Sequence, residues 1–353
     1  MMAIQTSKER QNLAAVLGAP KERLTTVSRP IPTPGPSELV VRNYAIAANP
    51  VDWKMQDYGF AIKEYPTVLG SDACGVVTAI GPSVTRFQVG DRVTGFAGVI
   101  VSNDLNHGAW QTYTILKEIA TMKIPDHMTY EEGSVFPMGM ATAGMALFYN
   151  LGIPRPSRET SAQQSGFLVW GASSSVGSSA VQLARNLGFR VFATASPAHH
   201  QYLRSLGAFE VFDYRDPDVV DKIAASARSA GTPIHLGFDT ITEGDTAQRC
   251  ADIVLACGGE KLVLVGPWPS TETKPEGIEI SMPLAAKLFT DQAQLGAWLF
   301  NEYLQNALSN GSIVPAPRIE VAGGGIAAAQ KALDRLKAGV SGRKLVVTLA
   351  DAE

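Results

Sequence analysis

Seven consecutive residues, Gly171-Ala-Ser-Ser-Ser-Val-Gly177, carry the strongest chemical signal in the sequence. A glycine at a strand end permits a tight turn, and a second glycine lets the next helix approach the sheet. The exposed amides at the helix start then face a pyrophosphate. The turn departs from the G-x-G-x-x-G spacing because Ser173, Ser174 and Ser175 precede Val176 in its middle. Their hydroxyls can donate to phosphate oxygens, while their Cβ atoms restrict the turn. Small residues in such a turn also serve plain strand-to-helix packing, so the turn by itself is ambiguous. The repeated strand-helix pattern around it makes a dinucleotide site the expected reading.

The second chemical signal is an absence. About twenty residues after such a turn, sites that prefer NAD place an acid against the ribose 2′-hydroxyl. This chain reads Ala195-Ser196-Pro197-Ala198-His199-His200 there, with no carboxylate. Nothing repels a 2′-phosphate, Ser196 can donate to it, and His199 or His200 can add donors or partial charge. NADP(H) is therefore the expected cofactor. Ser196 and Pro197 also read as the cap of a helix beginning near His199, and the two roles can coexist. Tyr214, at the end of the next strand, reads as an adenosine-side contact or a buried aromatic.

These groups need a scaffold. Short apolar runs broken by turn residues, Glu38 to Tyr44, Ala73 to Ile80, Arg92 to Thr94 and Gln111 to Leu116, predict a mainly β first domain. From about Tyr130 the apolar spacing becomes helical, over Tyr130 to Phe136 and Thr142 to Asn150. Strand and helix then alternate: Phe167 to Trp170, Gly177 to Leu187, Arg190 to Ala195, His199 to Leu206, Val211 to Asp213, Val219 to Ala230 and Leu236 to Asp239. That order predicts a parallel sheet. Lys261 to Val265 reads as another buried strand, and Leu284 to Ser309 as helical. Arg318 to Val321, helix Ile326 to Ala338 and strand Lys344 to Leu349 are expected to return to the first domain. The expected class is α/β, with a discontinuous β domain over residues 1–129 and 310–353 and a doubly wound domain over residues 130–309.

With 353 residues, 45% of them hydrophobic and 18% charged, the chain can bury two cores. A net charge of −3 offers no basic field for nucleic acid or anionic lipid. Met1 to Gln11 lacks an apolar run of secretory type and no stretch approaches membrane-spanning length, so a cytoplasmic protein is expected. Three scattered cysteines, Cys74, Cys250 and Cys257, do not suggest a disulfide framework. Pro154 to Gly166 reads as an inserted, solvated loop.

In family order, the segments Ala47-Ala-Asn49-Pro50-Val51-Asp52, Gly70-Ser-Asp72-Ala-Cys-Gly75, Gly90-Asp91-Arg92-Val93 and the Gly171 to Gly177 turn resemble the medium-chain dehydrogenase/reductase superfamily over nearly the whole chain. The resemblance implies a GroES-like β domain beside a Rossmann domain. Zinc alcohol dehydrogenases of that family carry Cys where Asn49 stands and His-Glu where Ser71-Asp72 stands, so no catalytic zinc is expected. Three dispersed cysteines cannot make a closed structural site either. Cys74 reads as a small buried residue.

The chain further resembles a fungal subgroup of trans-acting enoyl reductases and quinone-oxidoreductase-like proteins. The resemblance rests on Asn49-Pro-Val-Asp-Trp-Lys54-Met55, Gly139-Met-Ala-Thr142-Ala-Gly144, Ser196-Pro-Ala-His199, Phe212-Asp-Tyr214-Arg215 and Gly342-Arg-Lys344-Leu-Val-Val. It implies cofactor contacts at Val51, Asp52, Trp53 and Lys54, at Ser173 to Val176, at Ser196 to His199, and at Tyr214, Leu264, Val265, Val340 and Ser341. It implies substrate contacts at Thr142, Ala143, Gly144, Met145, Ala146, Leu147, Phe148 and Tyr149. Phe289, Trp53 and Phe136 are further candidates for an apolar pocket, or core.

The implied reaction reduces the C=C bond of an α,β-unsaturated thioester or carbonyl, and the enolate oxygen needs a donor. Lys54 and Thr142 are the candidates. Lys54 can equally hold the nicotinamide ribose or be a solvated lysine, and Thr142 can be the N-cap of a helix over Ala143 to Tyr149. A metal-free carbonyl, quinone or alcohol oxidoreductase and an inactive NADPH-binding protein are the rival readings. Asp52 and Asp72 read as structural hydrogen-bonders, Asp239 as orienting the sheet edge, and His107 as part of a surface loop. The expected partner is a small or carrier-bound acyl substrate, with a polyketide synthase as its source. The resemblance leaves monomer and homodimer both open.

Overall fold

The computed structural model describes residues 11–156 and 165–349. Most of the opening stretch Met1 to Gln11, and residues 157–164 of the expected loop at Pro154 to Gly166, lie outside the described residues. The chain divides into two compact units: Met1–Ser134 with Val321–Ala338 and Leu345–Glu353, and Val135–Glu320 with Gly339–Lys344.

The first unit is mainly β. Strands Arg343–Thr348, Glu38–Ala47, Asp72–Ile80, Arg92–Phe96 and Thr121–Lys123 lie side by side in that order, with Tyr113–Lys117 also paired to Glu38–Ala47. Glu38–Ala47 is buried along much of its length, through Leu39, Val40, Val41, Ala45 and Ile46. A near-continuous apolar run suits a central strand with neighbours on both sides. A smaller antiparallel sheet holds Thr25–Arg29, Asn12–Leu17 and Thr67–Val68. Sequence reading does not anticipate these strands, because Thr25–Arg29 is largely exposed and has no apolar alternation.

It also takes Asn49 to Met55 as a motif without assigning an element, and the structure makes Pro50–Tyr58 a helix. The start signal is local. Pro50 needs no donor in the first turn, and the Asp52 carboxylate reaches back to accept the Asn49 amide at 3.1 Å. Gly59, in the left-handed region at φ 67°, closes the helix through its N–H to the Met55 carbonyl.

His107 is a correction. It is only 8% exposed, in a short 3-10 turn Leu105–His107, with Nδ1 2.8 Å from Ser102 Oγ and Nε2 3.1 Å from Glu38 Oε1. A carboxylate far away in sequence draws the ring inward, and no local pattern announces it.

The second unit holds a six-stranded parallel sheet in the order Ala208–Phe212, Arg190–Thr194, Gly166–Trp170, Ile234–Asp239, Lys261–Leu264, Glu279–Ser281. Helices Ser175–Asn186, His200–Leu206, Val219–Ser229 and Thr246–Ala256 connect successive strands, as the alternation predicts. Val219–Ser229 shows why: its buried residues Val219, Ile223, Ala224 and Ala227 fall on one helical face. That face joins a core of Leu168, Trp170, Phe192, Ile234, Val254 and Leu262. Each such large side chain contributes about 1.5–3 kcal/mol when fully buried. The strand expected at Val211 to Asp213 begins earlier, at Ala208, where it pairs with Val191. The edge strand Glu279–Ser281, with no buried residue, is absent from the sequence reading.

The helix expected from Thr142 starts at Pro137 and runs to Gly144, then loosens into a π-helical turn over Met145–Asn150. Thr142 is therefore inside the helix and is not its N-cap. Its Oγ1 lies 3.6 Å from Met138 Sδ one turn back. The region Leu284 to Ser309 is divided among a 3-10 turn Ala285–Phe289, helix Ala293–Trp298, a π-helical turn Leu299–Leu304 and helix Gln305–Ser309. The aromatic candidate Phe136 is core, at 1% exposure.

Candidate cofactor site

The turn from Gly171 to Gly177 is built in the second unit from the end of strand Gly166–Trp170. Gly171 takes the left-handed conformation at φ 72°, where an L side chain would be strained and its Cβ would also meet Ile241 Cγ1 at 2.3 Å. Thr194, at the end of the neighbouring strand, holds the turn. Its hydroxyl accepts the Gly171 amide at 3.1 Å and its carbonyl the Ala172 amide at 2.9 Å. Thr240 holds the other side, donating to the Trp170 carbonyl at 2.8 Å.

The three serines do different work. Ser174 caps the helix: its Oγ accepts the Gly177 amide at 2.9 Å and lies 3.0 Å from Thr240 Oγ1. The cap uses an acceptor lone pair of that oxygen and leaves its proton for donation, to Thr240 Oγ1 or to another acceptor. Ser175 Oγ accepts from Lys344 Nζ at 3.4 Å. Ser173 makes no side-chain hydrogen bond among the described residues. The first-turn amides of Ser175 and Val176 have no intrahelical acceptor by helix geometry, and the dipole adds partial positive charge there.

Gly177 leaves no room for a side chain, since a Cβ would sit 2.4 Å from the Gly171 carbonyl oxygen and 2.7 Å from Ala172 Cα. Helix and turn thus approach as a pyrophosphate cradle requires.

Lys344 went unassigned at the sequence level. Its side chain is 3% exposed and directed at the turn. The only available signal was a cation inside an apolar strand, since a buried ammonium needs polar company.

The segment expected on the adenosine side follows strand Arg190–Thr194. Ser196 takes the N-cap position of a 3-10 turn Pro197–His199, yet its hydroxyl makes no capping bond. It accepts instead from Arg215 Nη2 at 3.3 Å. The capping alternative for the Ser196 hydroxyl is thereby corrected: the turn closes through the backbone, His199 N–H to the Ser196 carbonyl at 2.9 Å.

His199 Nε2 lies 2.9 Å from Ser341 Oγ, and Gly342, at φ 60°, brings its Cα so close that a Cβ would meet the imidazole at 2.4 Å. Ser341 is thus beside His199, as a shared contact region needs. Burial, aided by Arg318, Arg343 and His200, lowers the His199 pKa from its ordinary value. His200 Nε2 is 3.1 Å from the Ala195 carbonyl.

Tyr214 is 38% exposed, with the Arg215 guanidinium 5.1 Å from its ring centroid. Leu264 is buried, and the amide of Val265 donates to the Asp239 carbonyl at 3.1 Å. Asp239 is buried and caps the loop after its strand, accepting from the Ile241 and Thr242 amides and from Thr246 Oγ1 at 2.7 Å. Burial raises its pKa, opposed by those hydrogen bonds. A cavity of about 430 Å³ opens past Leu264 and Gly266, lined by Trp268, Pro269, Ile280 and Met282. Ligands of open α/β sheets bind at this carboxyl end of the strands.

Within the run Thr142 to Tyr149, the side chains of Ala143, Met145, Ala146 and Leu147 are buried, and Gly144 abuts Leu299. Thr142 and Phe148 are half-buried, while Tyr149 is exposed. Tyr149 Oη lies 3.2 Å from Lys287 Nζ, and Phe148 packs edge-on to Trp298. The expected substrate run is thus mostly core by side chain, because residues 143–147 are buried at consecutive positions, which encloses the segment on every side and not on one face. Phe289 is half-buried at the end of its 3-10 turn, and Val340 is half-buried beside Ser341.

The first unit positions the remaining candidates. Asn49 Nδ2 donates to Asp72 Oδ2 at 2.8 Å, and Trp110 Nε1 to Asp52 Oδ2 at 3.2 Å, all buried. These carboxylates serve as hydrogen-bond acceptors that tie the helix Pro50–Tyr58 to the sheet. Val51 and Trp53 are half-buried, and Lys54 is exposed, its Nζ 5.6 Å from the Trp53 ring centroid.

As a zinc site the donor set does not fit. A carboxamide and a carboxylate bonded to each other stand where a catalytic zinc site needs three N, S or O ligands. Cys74 is fully buried with its thiol pKa pushed up by burial, and no group of three His, Cys, Asp or Glu side chains among the described residues is arranged for a metal.

A mainly β unit and a doubly wound unit with this turn match two family models: an alcohol dehydrogenase GroES-like domain over residues 35–126 and a zinc-binding dehydrogenase domain over residues 175–311. The chain belongs to the medium-chain dehydrogenase/reductase superfamily of oxidoreductases, with a GroES-like and a Rossmann domain. Among its relatives, the trans-enoyl reductase tndF of Aspergillus flavipes is 38% identical, over 96% of this chain and 99% of that one. The dehydrogenase azaJ of Aspergillus niger is 37% identical over the same shares. A mycobacterial structure complexed with NADPH superposes with a TM-score of 0.73 at 25% identity, covering 96% of this chain and 99% of that one.

No helix among the described residues is long and apolar enough to cross a membrane.

Proposed function

We propose that this protein is an NADPH-dependent enoyl reductase that reduces the C=C bond of an α,β-unsaturated thioester or carbonyl of polyketide type. The observation that carries the reading is the Gly171 to Gly177 cradle followed by the acid-free segment Ala195 to His199, in a chain that matches a fungal trans-enoyl reductase over 96% of its length. Bound NADPH supplies the hydride. The amides of Ser175 and Val176 hold the pyrophosphate, and Ser196 receives the 2′-phosphate.

Hydride addition at the β-carbon moves an electron pair onto the carbonyl oxygen, and the α-carbon then takes a proton from water. Lys54 or Thr142 donates to the developing oxyanion. A preorganised donor of this kind contributes about a hundredfold or more to the rate. The acyl group arrives as a small molecule or on a carrier.

The test is product analysis with NADPH and a panel of enoyl thioesters, enones and ketones. A saturated thioester or ketone is expected, whereas alcohol formed from the ketone would reassign the chain as a carbonyl reductase. Absence of turnover with NADPH bound would make it a binding protein. Lys54→Ala or Thr142→Ala should lower kcat about a hundredfold with NADPH affinity kept. Full activity in both variants would remove the donor assignment.

A further inference from the structure

The histidines expected to supply charge near the 2′-position are engaged elsewhere. His200 Nε2 lies 3.1 Å from the Ala195 carbonyl, and His199 Nε2 lies 2.9 Å from Ser341 Oγ. Burial and the neighbouring Arg318, Arg343 and His200 disfavour a proton on His199. A phosphate dianion at this place needs a permanent cation, and imidazole is a poor one at neutral pH.

Three other cations in this part of the unit already have partners. Arg249 pairs with Asp245 at 2.7 Å, Arg318 stacks 4.7 Å from the Tyr202 ring centroid, and Arg343 lies 3.9 Å from Glu320. Arg215 differs. Its Nη2 donates to Ser196 Oγ at 3.3 Å and its guanidinium lies against Tyr214, 5.1 Å from the ring centroid. Asp213 accepts its backbone N–H at 3.1 Å, and no described carboxylate lies within ion-pair distance of the guanidinium. The fork is thus exposed, fixed by an aromatic face and a hydroxyl, and retains donors for a planar anionic group.

We propose that Arg215, held against Ser196 and Tyr214, is the cation that pairs with the 2′-phosphate of NADP(H) and so sets the choice over NAD(H). The inference rests on the NADPH reading above and names the residue that enforces it. Ser196 acts as the second donor and also orients the guanidinium. The histidine pair shapes the turn without supplying the charge.

The experiment is a fluorescence titration of NADPH and NADH into the wild type, Arg215→Ala, Arg215→Lys and His199→Gln, with 2′-AMP as a competing probe. A charge-assisted hydrogen bond contributes enough to binding that Arg215→Ala should weaken NADPH and 2′-AMP roughly tenfold to a hundredfold. NADH affinity should be unchanged, Arg215→Lys should recover part of the loss, and His199→Gln should retain the NADPH preference. Equal losses for NADPH and NADH would overturn the assignment by making Arg215 a general structural residue, as would an unchanged NADPH preference in Arg215→Ala. A wild type that binds NADPH and NADH equally would overturn the NADPH reading itself, and the two failures are distinguished by the wild-type titration.

Discussion

Gly177→Ala tests whether the close approach of helix and turn makes the cofactor site. The added Cβ would lie 2.4 Å from the Gly171 carbonyl oxygen and 2.7 Å from Ala172 Cα, whereas packed carbon contacts run about 3.5–4.0 Å. Both obstructing atoms are backbone, so no side chain can rotate away, and the helix Ser175–Asn186 must shift by roughly 1 Å. Overpacking of this kind costs about 1–3 kcal/mol. Alanine gains up to about 1 kcal/mol over glycine in a helix interior, and less in a first turn, so strain prevails.

A destabilisation of about 1 kcal/mol lowers Tm by about 2–4 °C in a unit of this size. The shift also carries the Ser175 and Val176 amides away from the phosphate position. Each charge-assisted hydrogen bond is worth about 1.5–3 kcal/mol, so NADPH affinity should fall at least tenfold. Thermal melts and an NADPH fluorescence titration measure the two effects. Gly323→Ala is the control, since a Cβ there meets no atom within 4 Å, and it should stay within about 0.5 kcal/mol of wild type. Wild-type melting and affinity in Gly177→Ala would refute the cradle argument.

Asn49→Asp would set a second carboxylate 2.8 Å from Asp72 in a buried site, so stability should fall by about 3 kcal/mol or more, read as a lower urea midpoint. An unchanged midpoint would show that the Asn49–Asp72 bond does not tie the helix to the sheet. Because burial and nearby arginines lower the pKa of His199, its ring signals should titrate by NMR below pH 6.5. The folded state binds this proton less readily than the unfolded one, so the residue costs stability as pH falls below 6.5 and has no effect above it. A midpoint above 6.5 would contradict that environment. Cys74 and Cys250 are fully buried with thiols pushed up by burial, and Cys257 is partly exposed. A disulfide reagent should modify at most one thiol in the native protein and all three after unfolding. Rapid reaction of two or more under native conditions would show that the cores open.

What the sequence determined by itself was local. The left-handed turn at Gly171, the missing side chain at Gly177 and the strand-helix alternation from Phe167 to Asp239 follow from residues a few positions apart, and periodicity reports such features directly. The lack of an acid at Ser196, and of nitrogen and sulfur ligands at Asn49 and Asp72, could also be read there, because an absent functional group needs no geometry. Tertiary structure decided which groups remain available. Ser174 accepts the Gly177 amide in the helix cap, and Ser175 meets Lys344 from 169 positions away. His107 turns inward to Glu38 across 69 positions, and the run Ala143 to Leu147 turns into the core. Arg215 reaches Ser196 only because parallel pairing sets the ends of strands Arg190–Thr194 and Ala208–Phe212 side by side. Hydrogen bonds and burial depend on distance in space, and sheet order brings together residues that no local spacing connects. The turn from Gly171 to Gly177 could therefore be located from its own residues, while the groups that surround it required the fold.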